Sequence, residues 1–296
     1  MIARDLIRTM RPDQWTKNLV LFAGLLFAGG LGTRALVLHA TWGFLAFCAL
    51  SGATYIFNDL VDVRRDCEHP VKKLRPLASG TLPIPVAATA AVVLAALALA
   101  WAYRLHPNFG FVAAGYLVLQ LLYSLALRRM VVLDVMAIAV GFVLRAVGSV
   151  EVLRGPAPDT ELSPWLLICT FFLALFLGLA KRRHEVLVLG AEAGKHRAVL
   201  EHYPPALIDS LFGVVTASTV VSYSIYTIWP GTVEKVGGTG LVYTIPFVVY
   251  GVFRYFFLMY TADGGGQPSR ALVTDLPLAL NIVLWVLVVA LVIYVT

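Results

Sequence analysis

Apolar blocks about as long as a bilayer is thick recur along this chain from residue 18 to its end. Nine can be placed, at about 18–37, 41–59, 83–103, 108–127, 131–151, 164–182, 208–228, 243–261 and 276–295. A hydrocarbon core about 30 Å thick takes about 20 helical residues. Lipid leaves no partner for a free backbone N–H or C=O, so each block is predicted to be an α-helix. The alternating strands of about ten residues that mark an outer-membrane barrel are not seen. Composition agrees: 14% of the 296 residues are charged and the mean hydropathy is +0.83, against about 25% charged in soluble domains. The expected fold is all-α, a polytopic membrane bundle of about nine transmembrane helices, with residues 1–296 forming one transmembrane catalytic domain.

No cleavable signal peptide is expected at the N-terminus. Residues 1–17 alternate Ile2, Leu6, Ile7 and Met10 with Arg4, Arg8 and Arg11, the pattern of a short amphipathic segment lying on the membrane surface.

The net charge of +6 would suit nucleic acid if it were clustered on a soluble face. Here it follows topology. With nine spans, eighteen of the 23 Lys and Arg residues fall on the side of the N-terminus, four (Arg34, Arg104, Arg154 and Lys235) on the other, and Arg145 within a span. The positive-inside rule therefore predicts a cytoplasmic N-terminus, an external C-terminus and a bacterial plasma-membrane location. Nucleic acid is not an expected partner. Three cytoplasmic segments, 58–80, 181–202 and 254–275, carry more charge than topology needs, acids included.

The most informative stretch is Asn58-Asp59-Leu60-Val61-Asp62-Val63-Arg64-Arg65-Asp66. Asn58, Asp62 and Asp66 stand four residues apart, and four residues turn a helix by about 400°, so the three line one face. Asp59 is about 100° from Asn58 on that count. Oxygen ligands without His or Cys suit a hard cation such as Mg²⁺, which is commonly shared between carboxylates and substrate phosphates. The alternative is a solvated helix end on which the aspartates pair with Arg64 and Arg65. The next residues, Glu68-His69-Pro70-Val71-Lys72-Lys73-Leu74-Arg75-Pro76-Leu77-Ala78-Ser79-Gly80, set cations beside those acids. A magnesium diphosphate needs that combination, with metal on some phosphate oxygens and Lys72, Lys73 and Arg75 on the rest.

NDLVDVRRD at the end of the second span, followed by EHPVKKLRPLASG, resembles the UbiA-type intramembrane prenyltransferase superfamily. The resemblance covers nearly the whole chain. It implies a helical bundle around a central cavity open to the cytoplasmic face, with Asp59, Asp62 and Asp66 in the catalytic motif and Asn58, Asp62 and Asp66 as magnesium ligands. Most members carry a second aspartate-rich motif after the sixth span. This chain has Lys181-Arg182-Arg183-His184-Glu185 there, poor for a second metal cluster and suited to an extra phosphate. That departure resembles the decaprenyl-phosphate phosphoribosyltransferases. So do Arg11-Pro12-Asp13-Gln14-Trp15-Thr16-Lys17-Asn18, Gly141-Phe142-Val143-Leu144-Arg145-Ala146, Lys181-Arg182 with Glu185, and Phe253-Arg254-Tyr255.

This branch implies transfer of 5-phosphoribose from 5-phosphoribosyl 1-diphosphate to a polyprenyl phosphate, with pyrophosphate leaving. The expected substrate contacts are Lys17, Lys72, Lys73, Arg75, Tyr123, Arg128, Arg145, Lys181, Arg182, Glu185 and Arg254. Each has a structural rival. Arg145 can pair with Asp134 or another acid, Asp134 can hold a cation or aid the metal, and Arg128 with Arg129 can be topology anchors. Asp263 to Gln267 reads as a flexible turn. Two functional rivals stand beside the transferase. One is prenyl transfer from a prenyl diphosphate to an aromatic or other small acceptor. The other is anion transport, which lacks the internal repeat such proteins often show. Without HExxH spacing or a serine elbow, zinc or serine hydrolysis is not expected. Cys48, Cys67 and Cys169 suggest neither disulfides nor a zinc site. Homo-oligomerisation is left open.

Overall fold

A computed structural model of the chain describes residues 2–189, 198–261 and 274–295. It is all-helical, with no strand among the described residues. In chain order the helices are α1 (Ile2–Thr9), α2 (Ala23–Phe27), α3 (Arg34–Glu68), α4 (Ile84–Leu105), α5 (Pro107–Leu125), α6 (Leu133–Glu151), α7 (Pro164–Leu189), α8 (Pro205–Ile228), α9 (Pro230–Val236), α10 (Ile245–Thr261) and α11 (Leu276–Val295). Eight segments are long and apolar enough to cross a membrane, beginning at Arg34, Ile84, Pro107, Leu133, Pro164, Pro205, Gly240 and Leu276. The chain is a multi-pass integral membrane protein. The turn expected at Asp263 to Gln267 lies outside the described residues.

The first expected span, 18–37, is not one helix. Residues Pro12–Phe22 form eleven residues of 3-10 helix, continued by the five of α2. The run stops at Gly29, whose φ of 68° is the left-handed conformation that ends helices. A 3-10 helix rises about 2.0 Å per residue and an α-helix about 1.5 Å, so Pro12–Phe27 reaches about 30 Å, a membrane thickness in fewer residues. The surface helix is likewise shorter than 1–17 and ends at Thr9.

The chain divides into two compact units. The first comprises 1–127 and 144–162. Its core is Leu21, Leu25, Phe47, Leu50, Phe109, Tyr116, Val152 and Leu153, with Phe47 against the rings of Phe109 (5.6 Å) and Tyr116 (5.3 Å). Small residues let backbones approach, as in membrane helix packing generally. Gly24 is the clearest case: a Cβ there would sit 2.3 Å from the Ser149 carbonyl oxygen, and the Gly24 N–H already donates to Ser149 Oγ at 3.0 Å. Backbone cannot swing aside as a side chain can. Gly24→Ala is therefore expected to cost about 1–3 kcal/mol, read as a lowered unfolding midpoint in detergent; an unchanged midpoint would mean that α2 shifts freely.

The second unit comprises 128–143 and 163–296. Its core includes Val135, Phe176, Leu179, Phe212, Tyr255 and Leu278, with Phe176 and Phe212 stacked at 4.8 Å. Polar contacts tie its helices: Asn281 Nδ2 donates to the Phe247 carbonyl (2.9 Å) and Trp285 Nε1 to Tyr223 Oη (2.9 Å). Such bonds contribute roughly 0.6 kcal/mol each in membrane proteins.

Candidate functional site

The acidic row closes α3. That helix has 35 residues, about 52 Å at 1.5 Å each, so its last turns extend past a 30 Å hydrocarbon core. Asn58 and Asp62 are half-buried, whereas Asp59 and Asp66 are buried at 2% and 4% exposure.

The loop after α3 folds back onto this helix. Leu77 and Leu82 pack with Ile56, Ala87 and Ala91. The Ser79 N–H donates to the Arg75 carbonyl (2.8 Å), the Leu82 N–H donates to the Pro76 carbonyl (3.0 Å), and Gly80 supplies a φ of 76°. This holds Arg75 over the acids. Its Nη1 lies 2.6 Å from Asp66 Oδ2 and 3.2 Å from Asp59 Oδ1. Asp59 therefore belongs with Asp66 and is not off the line of the row. Steps of four residues drift by about 40° each, whereas seven residues return to within about 20°.

Arg11 is the other cation on Asp59, with Nη2 at 2.5 Å from Oδ1. Its guanidinium also lies over the Tyr55 ring, 5.0 Å from the centroid. For Asp59 and Asp66 the cations are Arg11 and Arg75, while Arg64 and Arg65 are exposed. Lys73 is exposed, and Lys72 and Lys17 are half-buried.

The oxygen-only donor set on α3 suits a hard cation. Among the described residues no three His, Cys, Asp or Glu side chains form a ready cage. One or two carboxylates completed by substrate phosphates is how Mg²⁺ is usually bound, so the residues present fit that ion as a partner of a phosphate ligand.

Arg145, expected as an anion contact, is 4% exposed in the first unit. Its Nε donates to Asn18 Oδ1 (2.8 Å), its Nη2 donates to Tyr116 Oη (2.8 Å), and the guanidinium stands 4.7 Å from the Tyr116 ring. Asn18 Nδ2 in turn donates to Ser51 Oγ (3.2 Å). Tyr123 is half-buried near the end of α5.

The second unit has its own charged cluster. Arg182 is 1% exposed and Asp134 is fully buried. Arg182 Nη1 pairs with Glu185 Oε2, and Nε lies 3.5 Å from Asp134 Oδ2. Tyr203 Oη donates to Asp134 Oδ1 (2.7 Å) and accepts the Val132 N–H (2.7 Å). Val132 has a φ of 67°, an outlier for a β-branched residue that its surroundings must enforce. Burial, and then the Asp134 carboxylate, raise the Tyr203 phenol above its ordinary range, so it remains a hydrogen donor. Arg182 thus faces its own chain's acids instead of presenting itself to a ligand. Its neighbour Lys181 is 46% exposed and 3.9 Å from Glu185.

Arg128 is half-buried in a short 3-10 turn. Arg254 makes a two-point pair with Asp275 (3.1 and 2.8 Å), and Asp275 also accepts the Leu278 N–H (2.9 Å) at the start of α11. The Arg254 guanidinium holds the Asp275 carboxyl below its usual range. Arg254 therefore ties α10 to the start of α11, a structural duty that its sequence context did not announce.

Sequence reading missed Arg11 and Tyr203 as site-forming groups. The RPDQWTKN stretch flagged Arg11's neighbourhood without giving it a partner. Nothing local marks Tyr203.

The UbiA prenyltransferase family profile matches residues 18–274. A decaprenyl-phosphate phosphoribosyltransferase of Corynebacterium glutamicum is 30% identical across 99% of this chain and 88% of its own length. One from Mycobacterium tuberculosis is 30% identical across 96% and 93%. Among solved structures, an Archaeoglobus fulgidus UbiA homologue bound to GPP and Mg²⁺ superposes with a TM-score of 0.74 at 22% identity, covering 98% of this chain and 99% of that one. The same homologue bound to DMAPP and Mg²⁺ gives 0.73 at 21%, covering 99% and 100%. At that identity the structures establish the shared fold.

Proposed function

Because the chain belongs to the UbiA prenyltransferase family, we propose that it moves 5-phosphoribose from 5-phosphoribosyl 1-diphosphate to a polyprenyl phosphate, decaprenyl phosphate being the expected acceptor, with Mg²⁺ required. The observation that carries this reading is the near-full-length likeness to proteins named as decaprenyl-phosphate phosphoribosyltransferases. The basic Lys181-Arg182 pair, where an aspartate-rich motif is common in the family, supports it.

In this reading Asn58, Asp62 and Asp66 would hold the magnesium ion, which when bound neutralises the diphosphate and so eases its departure. Arg75, Lys72 and Lys73 bind the remaining phosphate oxygens. A lipid phosphate is already anionic, so its oxygen attacks the anomeric carbon without a strong general base. The new C–O bond forms as the bond to the diphosphate breaks, and the electron pair leaves with pyrophosphate. The protein's share is positioning and charge neutralisation. In the second unit Lys181 is an exposed cation that would meet a substrate phosphate, while Arg182 fixes the helix end that carries it. The charge asymmetry along the chain supports a cytoplasmic N-terminus, with the α3 acidic end on that side of a bacterial plasma membrane.

The test is purified protein in detergent with Mg²⁺, 5-phosphoribosyl 1-diphosphate and decaprenyl phosphate, read by mass spectrometry of the lipid and by pyrophosphate release. A phosphoribosylated lipid is expected, lost on chelation and restored by Mg²⁺. Consumption of a prenyl diphosphate with an aromatic acceptor, and no ribosylated lipid, would replace this reading with ordinary prenyl transfer.

A further inference from the structure

Arg11 and Arg75 are on the wrong partners for ligands of a diphosphate. Arg75 Nη1 bridges Asp66 (2.6 Å) and Asp59 (3.2 Å), and Arg11 completes Asp59 at 2.5 Å. Both carboxylates are almost wholly shielded from solvent, with side chains 5% and 3% exposed, while the two guanidiniums keep 28% and 27%. Their oxygens are therefore reached by moving a cation, and the cations are the more exposed side of the arrangement.

Arg11 is also held in an unusual place. Its φ of 52° is in the left-handed region, uncommon for a non-glycine residue and sustained only where surroundings enforce it. It sits at the joint between α1 and the 3-10 segment. On the α1 side, Leu6 and Met10 pack against the buried cluster that contains Ile56, and Met10 lies so close to Gly52 that a Cβ there would meet its Cε at 2.8 Å. The joint is thus clamped from one side by packing and from the other by Asp59.

We propose that Arg11 and Arg75 are exchange cations: they neutralise Asp59 and Asp66 until a metal diphosphate arrives, then pass from carboxylate to phosphate oxygens, so that metal and diphosphate bind together and each binds weakly alone. This rests on the site assignment proposed above. A bare divalent ion placed on Asp66 must push Arg75 off its anchor and then sit beside it, cation against cation. When the ion comes with a diphosphate, the displaced guanidinium finds a better anion, one its planar fork can bind at two points. The coupling is reciprocal, so diphosphate tightens metal by the factor that metal tightens diphosphate. Arg11 becomes a positioning residue for the donor, and it links the seating of α1 to occupancy of the site.

The experiment measures Mn²⁺ binding by electron paramagnetic resonance on the purified full chain, with and without inorganic pyrophosphate, the Mn²⁺–pyrophosphate complex in solution being accounted for. Wild-type protein is expected to bind Mn²⁺ on the order of a hundredfold more tightly with pyrophosphate present. Arg75→Gln and Arg11→Gln should each move the two affinities in opposite directions, tightening Mn²⁺ alone and weakening Mn²⁺ with pyrophosphate, so that the coupling falls to about tenfold or less. Arg11→Lys and Arg75→Lys keep the charge but lose the two-point fork, so their coupling should fall between wild type and the glutamine variants. Circular dichroism and size exclusion identify any variant that fails to fold, and the remaining arginine still decides the matter. Variants that bind bare Mn²⁺ no better than wild type, while pyrophosphate still draws Mn²⁺ to Asp62, overturn the exchange and leave the site in place. No Mn²⁺ bound in either condition, with Asp62→Ala indistinguishable from wild type, overturns the site and the exchange together.

Discussion

Asp62→Ala is expected to lower kcat/KM for phosphoribosyl transfer by at least about a hundredfold, the scale of several kcal/mol of charge stabilisation at a metal-assisted leaving group. Its stability should stay within about 1 kcal/mol of wild type. Asp62 is the informative member of the row because of where its neighbours are committed. Asp59 and Asp66 anchor Arg75, and Asp59 anchors Arg11 as well. Replacing either one would release a guanidinium contact and disturb the loop in a single step, and replacing Asp66 would remove a proposed ligand as well. Asp62 stands one turn before Asp66 and is half-buried, and its replacement leaves the Asp59 and Asp66 anchors of Arg75 and Arg11 in the chain. The decisive readings are initial rates over a range of Mg²⁺ concentrations beside an unfolding midpoint in the same detergent. A rate within about threefold of wild type at saturating Mg²⁺ would remove Asp62 from the transition state. A collapsed midpoint would mark it as structural instead.

The membrane-spanning pattern was legible because hydropathy is a one-dimensional property. α4, α5, α6, α8 and α11 lie within about three residues of the apolar blocks that announced them, the ordinary scatter of helix ends. The first block misled because apolar content does not distinguish one long helix from a 3-10 segment stopped at a glycine. Gly29, Gly30 and Gly32 in the middle of 18–37 were the available signal.

That the acidic row would stand beside cations of the following loop was legible in residue types. Its pairing was not. A four-residue ladder hides the seven-residue relation of Asp59 to Asp66, and Arg11 reaches Asp59 across 48 positions of sequence. Tyr203 reaches Asp134 across 69. Contacts of that kind come from tertiary packing, so no local pattern encodes them. Arg145 shows the middle case. That a guanidinium within a span must be satisfied followed from the cost of burying it; that Asn18 and Tyr116 would satisfy it did not.

The basic pair after α7's membrane segment divides into two residues with opposite duties, and substitution should separate them. Arg182 is sealed at 1% exposure between Glu185 and the fully buried Asp134. Taking away its charge removes a cation from beside both Asp134 and Glu185, so Arg182→Met is expected to cost about 3–5 kcal/mol, the usual result of breaking one side of a buried ion pair. If that cost is the Asp134 charge left without its arginine, adding Asp134→Asn to the same chain should recover a substantial part of it, because removing both partners is far cheaper than removing one. Tyr203 can still hydrogen-bond to the asparagine oxygen, so the strained turn at Val132 stays tied. Lys181 is 46% exposed and only 3.9 Å from Glu185, a surface pair worth about 0–1 kcal/mol. Lys181→Ala should therefore leave the unfolding midpoint nearly unchanged and instead raise KM for the phosphorylated substrate it is proposed to contact. Chemical unfolding of the four proteins, with steady-state kinetics on Lys181→Ala, tests both halves. A stable Arg182→Met whose defect is confined to KM would make Arg182 the phosphate ligand, and would require the buried cluster to open when substrate binds.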